Sequence, residues 1–229
     1  MIKIESAEEL NHAVTMLSAA EDPSRWGTNK GRTTYLRNNM DIRRCPKNGS
    51  SSILQVYGAY LKSQGLPGFD MGLNYVAHHA RPTPELLDRT PGIEKYQFRI
   101  DSYRVTIKRD PIDRIISAVK YIYKTYGGND NPDPKEVNRF LEIGDLNSNH
   151  HFWPQSYFLM DRNVYDRIVD ISELDDFIIE LCEKNRLEYD PNVFRDNRTT
   201  DRITVDDLSS MAYNRLKEHY KIDYDNGWY

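Results

Sequence analysis

The stretch CPKNGSSSIL, residues 45–54, places one lysine, one glycine and three serines between a short strand pattern and a helix pattern. Backbone N–H groups at a helix start and serine hydroxyls donate to anions, and a glycine lets a ligand approach the backbone closely. Lys47 adds a mobile positive charge. Because serines also cap helices, this stretch alone leaves two interpretations open, a phosphate-binding loop and an ordinary capped helix start.

The order of residues in this stretch argues against one familiar nucleotide loop. The GxxxxGK[ST] pattern has its lysine after the second glycine, whereas Lys47 precedes Gly49. A magnesium-dependent nucleotidase is therefore disfavoured. Asp170, after the apolar run RIV, has the position of a metal-organising aspartate, but one aspartate is a weak signal. Cys45 and Cys182 lie far apart without metal-ligand spacing, so we expect no metal site.

A second strand-to-helix turn, KRDPIDRIIS at 108–117, also carries anion-binding side chains. Asp110 is predicted to cap the helix. Arg109 is suited to a bidentate contact with phosphate, and Ser117 shares a helix face with Asp110 and Arg114. For Arg114 the alternative is a structural ion pair with Asp110 or Asp113. Two anion sites on neighbouring loops predict a ligand with two separated phosphate groups.

Short β-branched runs alternate with helical patterns along the chain, which predicts a mostly parallel sheet with helices on both faces. We expect one α/β domain over residues 1–229, in which 1–40 contribute a helix and a loop of unassigned role. Ligands bind such sheets at the carboxyl ends of the strands. The expected strands are 41–45, 73–79, 105–107 and 165–171, and the expected helices are 6–19, 50–64, a short one from 83, 110–126, 135–143, 172–185 and 205–220.

Composition narrows the classes of function. With 229 residues and 38% hydrophobic content, the chain can form one sizeable core, with two small domains as the alternative. A net charge of -4 gives no support for nucleic acid or an anionic membrane as partner. There is no apolar run long enough to cross a bilayer, the first residues are charged, unlike a signal peptide, and two distant cysteines suit a reducing compartment. We therefore expect a soluble, cytoplasmic protein.

Together the two turns resemble those of the sulfotransferases that use 3′-phosphoadenosine 5′-phosphosulfate (PAPS). CPKNGSSSIL looks like their 5′-phosphosulfate loop, and VTIKRDPIDRIISAVKYIY resembles their 3′-phosphate-binding strand and helix. NHHFWPQSYFL and the closing YKIDYDNGWY are similar to segments of the carbohydrate sulfotransferases, the group that the chain resembles most. The resemblance implies the P-loop-like sulfotransferase fold. Because the Golgi glycan enzymes have a membrane anchor and this sequence shows none, we expect a bacterial or viral origin.

The resemblance also implies roles for individual residues. Lys47 would contact the 5′-phosphosulfate and assist the leaving group, while Arg109 and Ser117 would bind the 3′-phosphate. The stretch FRDNRTTDR offers Arg195 and Arg198 near the adenine. PAPS is then the co-substrate, 3′-phosphoadenosine 5′-phosphate (PAP) is the product, and no metal is required. The rest of the 5′-phosphosulfate loop is Asn48, Gly49, Ser50, Ser51 and Ser52.

The general base is expected among the histidines. The resemblance implies a histidine after the second strand, where YVAHHARPTPELL supplies His79 and, as second choice, His78. The alternative is that both histidines hydrogen-bond the loop. His150 and His151 in HHFWPQ are rival candidates on the acceptor side, and Trp153 is a candidate surface for stacking on a sugar. The alternative for these three residues is a packed aromatic turn.

The expected reaction moves a sulfuryl group from PAPS to an acceptor hydroxyl by in-line displacement, as in phosphoryl transfer. A glycan is the first choice of acceptor, and a lipid, a small alcohol or a tyrosine are the alternatives. Two other classes of function remain open. One is a nucleotide-dependent phosphotransferase, and the other is a non-catalytic nucleotide- or glycan-binding module on the same fold. The sequence carries no signal for oligomeric state.

Overall fold

The computed structural model describes residues 33–36, 39–65, 98, 101–127, 132–159, 161–194 and 203–229. The predicted strand 73–79 and the predicted helices at 6–19 and from 83 lie outside them. In chain order the elements are β1 (Thr33–Leu36), β2 (Met40–Arg43), α1 (Ser50–Ser63), β3 (Tyr103–Lys108), α2 (Pro111–Gly127), α3 (Pro134–Ile143), β4 (Arg167–Asp170), α4 (Leu174–Asn185), α5 (Pro191–Phe194), α6 (Ser210–His219) and α7 (Lys221–Asp225).

The described residues have an α/β architecture and fall into two compact units. We call 33–108 with 159–194 the sheet unit, and 109–158 with 203–229 the helical unit. The single domain expected over 1–229 stays a prediction. The strands of the sheet unit that the structure describes are ordered β1-β2-β3-β4. Since β2, β3 and β4 are parallel and β1 is antiparallel to β2, the prediction of a mostly parallel sheet is confirmed.

Strand β1 corrects the expectation that a loop follows the helix within residues 1–40. Thr33 lies opposite Arg43, and Leu36 lies opposite Met40, in an antiparallel pair. Threonine, tyrosine and leucine tolerate a pleated surface well, but four residues within a polar stretch are too short an alternation to predict a strand. The strand depends on its pairing with β2, which the local sequence does not encode.

One face of the sheet is apolar and forms the core of the sheet unit. Ile42, Val105 and Val169 are completely buried there and belong to one cluster with side chains of α1 and α4. Helix α1 begins at Ser50 as predicted, and its C-terminal Gly65 has a positive φ of 70°, which suits a glycine after a helix. Helices on both faces of the sheet stay a prediction.

The helical unit is built around α2. Asp110 caps this helix as predicted, because its Oδ1 accepts from the N–H groups of Ile112 (2.8 Å) and Asp113 (3.1 Å). The apolar stripe of α2 packs with α3 and α6 in a second buried cluster. The residues that α2 contributes to this cluster include Ile112, Ile115, Ile116, Val119 and Ile122.

The last predicted helix, 205–220, begins later than expected. Residues Val205–Asp207 form a single 3-10 turn, and Leu208 is extended. Ser209 then caps α6, since its hydroxyl oxygen accepts from the N–H of Ala212 at 3.1 Å. The helix therefore begins at Ser210, because Ser209 is a favourable N-cap residue. The apolar periodicity alone placed the start of the helix five residues too early.

Candidate functional site

The loop after β2 is tied to the neighbouring strand. The N–H of Asn48 donates to the carbonyl of Cys45 (3.2 Å), which closes a turn, and its side-chain Nδ2 donates to the carbonyl of Ile107 in β3 (2.8 Å). Asn48 is only 1% exposed. Both bonds lie within the sheet unit. A buried amide that spans two strands fixes this loop at the carboxyl end of the sheet, so Asn48 has a positioning role that the sequence did not reveal.

Gly49, and not a serine, is the N-cap of α1. It has a positive φ of 72°, and a Cβ at this position would lie 2.7 Å from Cδ2 of Leu174. The cap makes no side-chain hydrogen bond, and the first turn of α1 holds no acidic residue. The interpretation of the three serines as a helix cap is therefore wrong, because Ser50, Ser51 and Ser52 follow the cap and form the first turn of the helix.

The first turn of α1 has the properties of an anion site. The first N–H groups of any helix have no partner within that helix, and the helix dipole makes this end positive. Here the cap residue is a glycine, which contributes no side-chain bond, and the three serines are half-buried. Lys47 lies two residues before the cap, is half-buried and has a positive φ of 66°. A left-handed lysine is uncommon and marks a strained position in the loop.

At the turn after β3, the first N–H groups of the helix have a side-chain partner. The carboxylate of Asp110 already occupies the N–H groups of Ile112 and Asp113 at the start of α2. An anion at this turn therefore has to rely on side chains. Arg109 and Ser117, the predicted contacts, are both half-buried and belong to the helical unit.

Arg109 is a partly desolvated cation. Burial lowers the pKa of its guanidinium, while the charge of Asp113 raises that pKa and the charge of Arg114 lowers it. Arginine stays protonated at any physiological pH in spite of such a shift. Reduced contact with water means less screening, so an anion that reaches this guanidinium is attracted more strongly than at a fully exposed arginine.

Arg114 has a structural role, but its side-chain partners are not Asp110 or Asp113, the ion pair that was the alternative for this residue. Its side chain is completely buried, and it donates to the carbonyls of His151 (3.2 Å, from Nη1) and Trp153. Its guanidinium also lies 5.4 Å from the ring centre of Tyr220. The sequence pattern suggested local carboxylates as partners, whereas the actual partners are carbonyls 37 and 39 residues away.

The segment HHFWPQ is a packed aromatic turn, which was the alternative to a substrate contact. Phe152 is completely buried, and the indole N–H of Trp153 donates to the carbonyl of Asn147 at 2.8 Å. His150 is buried, with its ring centre 4.0 Å from that of His151. A role for His150, His151 and Trp153 on the acceptor side stays a prediction.

The tautomer of His151 is fixed by Asn149. The side-chain Oδ1 of Asn149 accepts from the backbone N–H of His151 at 2.8 Å and lies 2.9 Å from its Nδ1. Because a backbone N–H can only donate, the atom that it meets is the oxygen, and Nδ1 must then carry a proton. In the neutral ring the lone pair is on Nε2, which is the arrangement that a proton acceptor needs.

Two segments that the resemblance picked out separately are in contact within the helical unit. The carboxylate of Asp223 accepts from the N–H groups of Gln155 (2.9 Å) and Ser156 (2.8 Å). The hydroxyl of Tyr220 donates to the carbonyl of Phe152 at 2.6 Å. Sequence reasoning missed Gln155 and Asp223 as linked residues, since no local pattern joins positions 68 residues apart.

Several candidates lie elsewhere. His78, His79, Arg195 and Arg198 are outside the described residues. Asp170, the alternative metal aspartate, caps the turn before α4 and forms an ion pair with Lys108 (3.6 Å). Within the described ranges there is no cluster of three or more His, Cys, Asp or Glu side chains arranged for a metal, and none of the helices seen there could cross a membrane.

Comparison with family models, with curated proteins and with solved structures finds no match to this chain.

Proposed function

We propose that this protein is a PAPS-dependent sulfotransferase. The observation that carries the proposal is the start of α1, where a left-handed Gly49 caps the helix without any side-chain bond and Lys47 lies two residues earlier. A helix N-terminus without a carboxylate cap attracts an anion through its N–H groups and its dipole. The lysine before the glycine suits a sulfuryl donor better than a metal-bound triphosphate, for which the GxxxxGK[ST] order is typical.

We assign one phosphate-bearing end of the nucleotide to each turn. The loop residues Asn48 to Ser52 would bind the 5′-phosphosulfate, with Ser50, Ser51 and Ser52 donating from their N–H groups and hydroxyls. Arg109 and Ser117 would bind the 3′-phosphate. These assignments fit the two ways in which the turns are capped. The glycine cap of α1 makes no side-chain bond to the first N–H groups, whereas Asp110 already accepts from those of α2 and the second turn offers the partly desolvated guanidinium of Arg109.

The reaction is an in-line displacement at sulfur. The acceptor oxygen forms a bond to sulfur as the bond between sulfur and the bridging 5′-phosphate oxygen breaks, and that electron pair leaves with PAP. The ammonium of Lys47 would neutralise the charge that develops on the bridging oxygen. The acceptor proton passes to a general base, for which His79 is the first candidate and His78 the second.

Among the candidate bases, His151 is a histidine whose tautomer follows from its hydrogen bonds. Its Nδ1–H is held by Asn149, so that Nε2 carries the lone pair. Its ring centre lies 5.6 Å from that of Tyr121, one helical turn beyond Ser117 on α2. His151 therefore lies near the residues that we assign to the 3′-phosphate. Because PAPS carries its sulfuryl group at the 5′ end, a histidine near that end is the better candidate for the base. The acceptor is proposed to be a glycan hydroxyl.

The test is a transfer assay with PAPS in EDTA and a panel of glycans, lipids, small alcohols and a tyrosine peptide. We expect one acceptor class to gain the mass of a sulfuryl group, with an equal amount of PAP released. Transfer of a phosphoryl group from ATP with Mg²⁺ would identify a phosphotransferase instead. Tight binding of PAP without transfer to any member of the panel would favour a non-catalytic module.

A further inference from the structure

The side chain of Gln155 holds the peptide groups of Arg109 from both sides. Its Nε2 donates to the Arg109 carbonyl at 3.0 Å, and its Oε1 accepts from the Arg109 N–H at 3.5 Å. Gln155 is 0% exposed. A side-chain amide that contacts both the N–H and the carbonyl of one residue fixes the orientation of that residue's backbone, and with it the direction of its Cα–Cβ bond.

Gln155 is in turn held by a buried carboxylate. Asp223, also 0% exposed, accepts from the N–H of Gln155 through Oδ2 (2.9 Å). Its Oδ1 accepts from both the N–H (2.8 Å) and the hydroxyl (2.6 Å) of Ser156. Three donors satisfy the two oxygens, so the carboxylate remains stable in a buried position and fixes the start of the turn Gln155–Tyr157.

The other end of the same segment is anchored as well. Arg114, on α2, donates to the carbonyls of His151 and Trp153, and Tyr220 donates to the carbonyl of Phe152. Residues 151–156 are thus attached at several points within the helical unit. Because both ends are held, Gln155 cannot shift easily and presents its amide to Arg109 in one orientation.

These contacts affect Arg109, the residue that would bind the 3′-phosphate in the proposed function. Arginine has many rotamers, and ordering them for a bidentate contact costs conformational entropy. Fixing the backbone of Arg109 narrows the region that its guanidinium can reach before a ligand arrives. Preorganisation of this kind raises affinity without any added contact to the ligand.

We propose that Gln155 and Asp223 are positioning residues that hold Arg109 ready for an anion and thereby set the preference of the protein for a nucleotide with a 3′-phosphate. This inference rests on the proposed function of Arg109. Both residues act through the peptide of Arg109, and Asp223 acts through Gln155.

The experiment measures the affinity of PAP and of adenosine 5′-monophosphate, which lacks the 3′-phosphate, by calorimetry in EDTA. The ratio of the two dissociation constants is the 3′-phosphate preference. Gln155→Met keeps the side-chain length and removes both bonds to Arg109, and we expect it to reduce this preference about tenfold while the affinity for the monophosphate stays unchanged. Tyr157→Ala, at a side chain of the same turn that is 58% exposed, leaves the Gln155 contacts intact and should keep the preference within about twofold of wild type.

A purely structural role would weaken both nucleotides equally, and an unchanged ratio for Gln155→Met would overturn the inference. If that variant does not fold, Gln155→Asn replaces it, since its shorter amide cannot span both atoms of Arg109, and the same fall in the ratio is expected. The two proposals fail in different ways. A wild-type protein without any 3′-phosphate preference contradicts both, whereas a wild-type preference that Gln155→Met retains contradicts only the positioning role.

Discussion

The turn after β2 and the turn after β3 both lead from a parallel strand into a helix, but they satisfy the first N–H groups of that helix differently. Gly49 caps α1 without a side-chain bond, whereas the carboxylate of Asp110 accepts from two N–H groups at the start of α2. An anion can therefore use the backbone at the first turn but must use side chains at the second. The type of cap residue distinguishes the two modes of binding.

The turns also differ in what holds them in place. The loop after β2 is fixed by Asn48, which reaches the adjacent strand of the same sheet. The residue at the second turn, Arg109, is held by Gln155, which depends on Asp223 near the other end of the helical unit's sequence. Anion binding at the first loop should consequently be sensitive to backbone changes within that loop. Anion binding at Arg109 should be sensitive to substitutions that are distant in sequence.

The largest effect is expected at Lys47. Lys47→Gly removes the ammonium and also the strain of a left-handed non-glycine residue, so stability should be retained or rise slightly. We expect the rate of PAP release from PAPS with a competent acceptor to fall about 100-fold or more, as for the loss of one transition-state donor. Lys47→Arg, which keeps the charge, should retain part of the activity. Normal turnover by Lys47→Gly would contradict the assigned role.

Arg109→Ala tests whether the second turn binds through a side chain. We expect the affinity for PAP to fall about 10- to 100-fold, because a charge-assisted hydrogen bond to the 3′-phosphate is lost, and the affinity for adenosine 5′-monophosphate to stay unchanged. Calorimetric titration of both nucleotides measures this. Arg162→Ala, at an exposed arginine of the sheet unit, is the control and should bind both normally. An equal loss for both nucleotides would show that Arg109 does not read the 3′ end.

Gly49→Ala tests the local backbone at the first turn, and Gly65→Ala is its matched control. Both glycines have a positive φ, but a Cβ at Gly65 would meet no atom of the described residues within 4 Å, whereas one at Gly49 would lie 2.7 Å from Leu174. We expect Gly65→Ala to lower the free energy of unfolding by about 1 kcal/mol and Gly49→Ala by about 2 kcal/mol. Urea denaturation measures both, and equal losses would mean that contact with Leu174 does not constrain the cap.

The smallest effect is expected from the protonation of His219, which changes the free energy of unfolding with pH. His219 contacts Phe152, in the segment that holds the turn at Arg109. Burial lowers the pKa of His219, although its hydrogen bond to the carbonyl of Phe152 (3.1 Å) raises it. Because the folded pKa is below the unfolded value of about 6.5, the unfolded state binds the proton more readily. The contribution of His219 to stability is therefore complete above that pH and is lost as the pH falls through the folded pKa.

The variant His219→Gln keeps a donor for Phe152 but does not titrate. We expect its free energy of unfolding to decline less steeply than that of wild type between pH 7 and about pH 5. Parallel declines for the two proteins, measured by urea denaturation at each pH, would show that His219 is not part of the pH response.

Much of the fold follows from local patterns in the sequence. The β-branched residues of β3 and the Asp-Pro start of α2 each indicate their structure within a few residues, and both predictions are confirmed. The edge strand β1 was missed because its stability comes from pairing with β2, which a window of four residues cannot reveal.

In the candidate site, too, the features encoded by short runs of residues were predicted, and those that depend on distant residues were not. The sequence located the loop at Lys47 and the turn at Arg109, since each is a short run of suitable residue types. It left the cap of α1 open, because serines often fill that position and no local pattern shows that Gly49 adopts a positive φ beside Leu174. It also missed the buried contacts of Arg114, Gln155 and Asp223, whose partners lie 37 to 68 residues away.

The most direct measurement of the central claim is a calorimetric titration of the wild-type protein with PAP in EDTA, followed by a titration with ATP in the presence of Mg²⁺. We expect PAP to bind without metal and more tightly than ATP with Mg²⁺, because the turn after β2 offers backbone donors and the turn after β3 offers the guanidinium of Arg109. No binding of PAP, or tighter binding of ATP that depends on Mg²⁺, would contradict it.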